Sequence, residues 1–166
     1  MTKTGKDSAK SDRHRLCKIT LDERTLVHTN AYIEYEYKVA IFDLLEGNFF
    51  MPSGIEEGPY CLHLSILDGR LIFDIKCEDS KPLGQVQLSL SPFRRIVKDY
   101  FLMCESYFES IKTASPSHIE AVDMGRRGLH NEGSDVLRKR LNGKIDLDFD
   151  TSRRLFTLLC VFHMKL

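Results

Sequence analysis

The densest set of chemistry-bearing side chains lies in Asp123-Met124-Gly125-Arg126-Arg127-Gly128-Leu129-His130-Asn131-Glu132-Gly133-Ser134. Apolar residues on either side repeat at helical spacing, yet three glycines fall within nine residues here. Each costs a helix about 1 kcal/mol relative to alanine, so something must offset them. If the helix runs unbroken, 100° per residue puts Ile119, Val122, Arg126, Leu129, Gly133 and Val136 on one face. Asp123 and His130 then flank Arg126. A guanidinium in an apolar stripe stays charged only if a carboxylate or a bound anion meets it.

Two chemistries fit. Arg126, Arg127 and His130, with Asn131 and Asp123 beside them, could hold an anionic or phosphorylated ligand, the glycines permitting close backbone approach. Alternatively the segment breaks the helix in two, and the arginines act as internal struts to Asp123, Glu120 or the acidic sheet region. The broken helix is the simpler expectation. The spacing is neither a P-loop nor a dinucleotide fingerprint, because no Lys-Ser follows and no strand leads into it.

Paired arginines recur at Arg94-Arg95 and Arg153-Arg154, each just inside a predicted helix start, where positive charge opposes the helix dipole. Convergence of those starts with Arg126-Arg127 would make a positive cleft; otherwise they are solvated surface. Arg94 and Arg95 therefore join the candidate ligand-binding residues. Elsewhere, His63 falls opposite Asp74 with Ser65 two residues away, but no strained elbow or oxyanion donor pair accompanies them. A solvated cross-strand pair is expected. His14, His28, His118 and His163 show no metal-ligand spacing, and Cys104 sits in an apolar stripe as a buried thiol. No metal, cofactor or catalytic residue is implied, so a binding protein is favoured over an enzyme.

The elements that must position these groups are legible in part. Tyr60 to Leu67 and Arg70 to Cys77 flank Asp68-Gly69, which suits a type I′ turn. That turn sets Ile66 against Leu71, Leu64 against Phe73 and Leu62 against Ile75, with all the apolar partners on one side. Gln85 to Leu90 alternates as a further strand, and Cys17, Ile19 and Leu21 mark a short first one. Residues 30–46 read as a helix ended by Gly47-Asn48, and 48–59 as a loop rich in Pro and Gly. Ser91-Pro92 and Ser115-Pro116 each read as a serine N-cap followed by proline at the first helical position. Asn142-Gly143 is a stop, and Lys144 to Leu147 a possible last strand. Asp148 or Asp150 caps a final helix that is apolar nearly all round, as a central or interface helix would be. The expected fold is α+β: an antiparallel sheet of three to four strands packed against about four helices, with the C-terminal helix central. Residues 14–166 form one domain, and residues 1–13 a flexible basic tail.

The chain balances 24 basic against 24 acidic residues, which removes any bulk attraction to nucleic acid or anionic lipid. Five cysteines without a C-x-x-C pair point to reduced thiols. The N-terminus has no apolar run of a secretory signal, and Leu155 to Phe162 is too short to span a bilayer, so a cytoplasmic location is expected. Tyr32, Tyr35 and Tyr37 crowd several faces of the first long helix, and exposed tyrosines serve protein contacts. Tyr32 and Tyr35 are the contact candidates.

Five segments, VAIFDLLEGN, GPYCLHLSI, LSPFRRIVKDYFLMCESY, IEAVDMGRRGLHNEGS and FDTSRRLFTLLCVFH, together resemble a small uncharacterised protein family of alphaproteobacteria, number zero-two-six-two of its kind. The resemblance spans about residues 14–164 and implies a bacterial protein, but carries no activity or catalytic residue to transfer. The leading functional expectation is a non-enzymatic regulatory or adaptor protein that contacts another cytoplasmic protein and can self-associate. The alternative is an anionic-ligand domain built on Arg126, Arg127 and His130.

Overall fold

The computed structural model describes residues 13–25 and 31–163; of the expected tail over residues 1–13, all but Arg13 lies outside them. The fold is α+β. A four-stranded sheet runs in the order β1 (Leu16–Leu21), β3 (Tyr60–Leu67), β4 (Arg70–Cys77), β5 (Pro82–Ser89). A two-stranded antiparallel sheet joins β2 (Phe50–Pro52) to β6 (Ile145–Leu147). Four helices complete the described fold: α1 (Ala31–Glu46), α2 (Arg94–Thr113), α3 (Pro116–Leu141) and α4 (Phe149–His163).

The β3–β4 hairpin has the anticipated register, with Leu67 facing Arg70 and His63 facing Asp74. Asp68 and Gly69 both adopt positive φ, 52° and 71°, as the tight turn requires. Tyr60, Leu62, Leu64, Leu71, Phe73 and Ile75 all turn into the core. The sheet departs from a purely antiparallel one at its edge, because β1 pairs parallel to β3. A parallel pair needs a long crossover, and α1 lies in the connection between β1 and β3. Residues 48–59 are not all loop either: Phe50–Pro52 makes a short strand whose partner is about ninety residues away in sequence. Such a strand carries no periodicity of its own to read.

The helix starts differ in kind. Ser115 caps α3 as expected, accepting the His118 amide N–H at 3.4 Å. Ser91 does not cap α2. Ser91–Phe93 forms a 3₁₀ turn, and α2 begins at Arg94 with no side-chain cap bond. Asp148 caps α4 by accepting the Thr151 amide at 2.9 Å.

α4 is the central helix. Leu155, Phe156, Leu158, Leu159, Val161 and Phe162 are all buried, and α4 touches α1 on one side and α3 on the other. These side chains share one continuous apolar cluster with the inner face of the sheet. The glycine-punctuated segment is helical throughout, so α3 is not broken in two. Gly133 explains part of that: a Cβ there would collide with the ring of Phe156. The missing side chain lets α3 close on α4, and the packing gained offsets the lower helix propensity. Gly125 packs under the Met103 side chain. Gly128 faces open space, and nothing in the structure explains it.

Gly133→Ala should therefore lower stability by about 1–3 kcal/mol through overpacking against a buried ring. Gly128→Ala should raise it by roughly 1 kcal/mol through helix propensity alone. Urea unfolding of the two variants beside the wild type measures both, and equal effects would refute the close-approach account.

Candidate functional site

α1, α3 and α4 line an open cleft of about 270 Å³. The α3 wall presents Arg126, Arg127 and His130, one turn of helix in all. The α4 wall presents Arg153, Arg154 and Thr157, again one turn. α1 forms the opposing wall with Glu36, Val39, Ala40 and Asp43, and Tyr100 of α2 contributes from below.

Arg126 and Arg127 share one carboxylate. Asp123 accepts from Arg126 Nη2 at 2.6 Å and Nε at 3.2 Å, and lies 3.1 Å from Arg127 Nε. This is the internal strut that the apolar stripe demanded. Arg126 also lies over the Tyr107 ring, 5.0 Å from its centroid, a cation–π contact. The Arg126 hydrogen bonds hold the Asp123 carboxyl below its usual range. Burial is the strongest single influence and works against the Arg126 charge, but the Asp123 hydrogen bonds and charge, with Tyr100 and Tyr32 nearby, together outweigh it and raise the guanidinium pKa above its usual value.

The α4 arginines are matched less well. Arg154 donates through Nη1 to the Asp150 carbonyl at 3.2 Å. Its Nε stands 3.8 Å from Asp43, an ion pair too long for a hydrogen bond. Among the described residues, the buried Nε atoms of both Arg153 and Arg154 have no hydrogen-bond partner. A buried guanidinium N–H without an acceptor is costly, and the same two guanidiniums line the cleft, where an oxyanion would add charge-assisted bonds.

His130 is held between rings, with centroids 5.4 Å from Tyr100 and 5.2 Å from Phe156. Thr157 Oγ1 donates to the Arg153 carbonyl at 3.3 Å and therefore accepts from His130 Nε2 at 2.8 Å. That network assigns the proton to Nε2 and leaves Nδ1 a bare buried acceptor without a partner. Burial first, then the nearby Arg153 and Arg126 charges, push the imidazole pKa down to about 4. His130 is accordingly neutral at pH 7.

Of the sequence candidates, Arg126, Arg127 and His130 come together in the cleft, with Asp123 behind them. Asn131 is exposed and does not line it. Arg94 and Arg95 are exposed at the start of α2, Arg95 pairing with Asp99 at 3.8 Å, and neither lines the cleft. The pair that does converge is Arg153-Arg154. The α1 carboxylates Glu36 and Asp43 were missed, since nothing local marks a helix face that opposes another helix. Tyr32 packs edge-on against Phe108, ring centroids 4.6 Å apart, whereas Tyr35 is 66% exposed. His63 and Asp74 are in register but bond elsewhere, His63 to Thr20 at 2.7 Å and Asp74 to Gln85 at 2.9 Å. All five cysteines are free; burial raises the Cys104 thiol pKa, so that thiol is not a poised nucleophile. Among the described residues there is no metal-ligating cluster, and no helix is long and apolar enough to cross a membrane.

The chain belongs to the uncharacterised protein family UPF0262, whose family model matches residues 13–165. A UPF0262 protein of Paramagnetospirillum magneticum is 59% identical over 92% of this chain and 98% of its own length. One from Xanthobacter autotrophicus is 57% identical over 91% of this chain and 93% of its own. One from Agrobacterium fabrum is 56% identical over 91% and 96%. No solved structure matches significantly.

The depressed His130 pKa has a signed consequence. The unfolded imidazole takes up a proton below about pH 6.5, while the folded one resists until about pH 4. The unfolded state binds more protons inside that window, so stability falls as pH drops from 6.5 to 4. The loss is of order 3 kcal/mol, at 1.36 kcal/mol per unit. Denaturant midpoints across pH 4–7 should show this slope in the wild type and lose most of it in His130→Gln.

Proposed function

We propose that this protein binds a small phosphate-type anion in the cleft between α1, α3 and α4. The observation that carries the reading is that Arg153 and Arg154 of α4 line the cleft with no carboxylate within hydrogen-bond distance among the described residues, beside an already paired Arg126-Arg127. Four guanidiniums face two carboxylates in the lining. Holding like charges side by side in a partly buried cleft is unfavourable unless a counter-charge joins them. Arginine is also suited to the task, because its planar fork matches phosphate oxygens and cannot deprotonate. The bound group is held and oriented; the cleft offers no nucleophile, and its neutral histidine already donates to Thr157.

Inorganic phosphate should raise the wild-type melting temperature by about 5–11 °C at a hundredfold excess over its dissociation constant, since that excess adds about 2.7 kcal/mol. Arg153→Gln with Arg154→Gln should abolish the rise while the protein still melts cooperatively. Persistence of the phosphate effect in that double variant would defeat the assignment.

A protein-contact role is the second reading, supported by the outer face of α1, where Tyr35, Phe42 and Leu45 are exposed. Isolated apolar residues on a surface are ordinary, but three on one helix form a patch. If the patch mediates self-association, Tyr35→Ser with Phe42→Ser should shift the sedimentation profile to a smaller species. An unchanged profile removes that form of the reading.

A further inference from the structure

Resting on the anion-binding reading, we infer that the ligand is a small phosphate monoester carrying an ammonium group, rather than bare phosphate, a neutral polyol phosphate or a nucleotide. The argument begins with the α1 wall. A site built only to hold phosphate has no use for carboxylates at its mouth, because they repel the anion. Yet Glu36 and Asp43 both line this cleft, seven residues apart on one helix face. At 1.5 Å per residue they stand about 10 Å apart along the axis, with Val39 and Ala40 between them.

The two acids are not equivalent. Asp43 is drawn to Arg154. Glu36 takes part in no ion pair among the described residues, since the pairs made within the α1 segment are Glu34 with Lys38 and Asp43 with Arg154. The cleft thus has one end at Arg153 and Arg154, which have no carboxylate within hydrogen-bond distance among the described residues. The other is at Glu36, which lies by the Tyr32 hydroxyl and on the side of Arg126, whose charge Asp123 already answers. A phosphate seated at the first leaves Glu36 facing whatever group the ester carries. An ammonium there gains a charge-assisted bond, whereas a hydroxyl gains only a neutral donor's contact.

Size agrees with this. A volume of about 270 Å³ lies just below the range of about 300–1,000 Å³ for drug-sized ligands. The aromatic side chain in the lining, Tyr100, is only 6% exposed, so it offers a nucleobase no face to stack on.

Isothermal titration of the full-length protein with four probes tests this: inorganic phosphate, sn-glycerol 3-phosphate, O-phosphoethanolamine and adenosine monophosphate. The expected result is that O-phosphoethanolamine binds at least tenfold tighter than the other three. Glu36→Gln should erase that advantage while leaving inorganic phosphate as tight as before or tighter. A phosphodiester has lost one negative charge, so vesicles of phosphatidylethanolamine should not capture the protein; capture would place the ammonium phosphate on a lipid and overturn the soluble ligand. If phosphate binds but O-phosphoethanolamine does no better, the ammonium inference is wrong and the anion cleft stands. The same holds if glycerol 3-phosphate equals O-phosphoethanolamine, or if the nucleotide binds tightest. If no probe binds, both fail. The comparison among probes needs only the wild type, so it decides the matter even if Glu36→Gln does not fold.

Discussion

The close approach of α3 to α4, made where Gly133 presents no side chain to the Phe156 ring, sets the geometry of everything around the cleft. One turn before Gly133 on α3 comes His130, and one turn before that come Arg126 and Arg127. One turn of α4 on the same side carries Arg153, Arg154 and Thr157. The 2.8 Å bond between His130 and Thr157 spans the two helices and exists only because the backbones are near enough. A methyl group at position 133 would have to displace either the ring or the helix, and the Phe156 ring is fully buried in the core. Interiors packed to crystal-like density transmit such a shift rather than absorb it.

Electrostatics then divides the arginines by how they are answered. Asp123, one turn before Arg126 and Arg127 on their own helix, neutralises part of their charge locally, and the pairing is mostly intrahelical. Arg153 and Arg154 lie near the start of α4, where the dipole already favours anions and where Asp148 accepts only a backbone amide. Asp150 stands one turn before both, at the spacing Asp123 has on α3, yet Arg154 bonds its backbone carbonyl and no ion pair joins either arginine to its carboxylate among the described residues. The neutral state of His130 is part of the same field: two neighbouring arginines and a dry aromatic setting make a third positive charge there unfavourable.

What could be read in the sequence follows from how far each feature reaches. The β3–β4 hairpin was legible to the residue because a two-residue turn and an alternating pattern are local and mutually constraining. The burial of α4 was legible from its all-round apolarity. The stretch around Arg126 was correctly marked as anomalous, yet its continuity as helix was not, because the compensation for Gly133 comes from a ring on another helix. The β2–β6 pairing and the parallel placement of β1 are likewise set by distant partners. Of the arginine pairs, Arg94-Arg95 and Arg153-Arg154 look alike as dipeptides. Only the packing of α4 between α1 and α3 distinguishes them, turning one pair into a cleft wall and leaving the other in solvent.

That distinction bears on why the charges are there at all. Replacing a buried or half-buried ion pair with apolar side chains of similar volume is commonly neutral or stabilising, so folding alone gives little reason to keep guanidiniums in a groove. The rest of the protein shows how such a groove could have been closed. One turn further along α4, the buried side chains of Cys160 and Val161 lie with Tyr32 and Ile33 of α1 around a small, mostly apolar pocket of about 20 Å³ that Glu36 also lines. Position 157 marks the boundary, with a threonine shared between histidine and backbone carbonyl on one side and close-packed core beyond it. Apolar residues at 153 and 154 would extend that packing and remove two unmatched donors. Their retention as arginines, opposite a carboxylate that no described cation neutralises, makes the groove a place where the fold gives up stability, and interior polarity of that kind is characteristic of ligand sites.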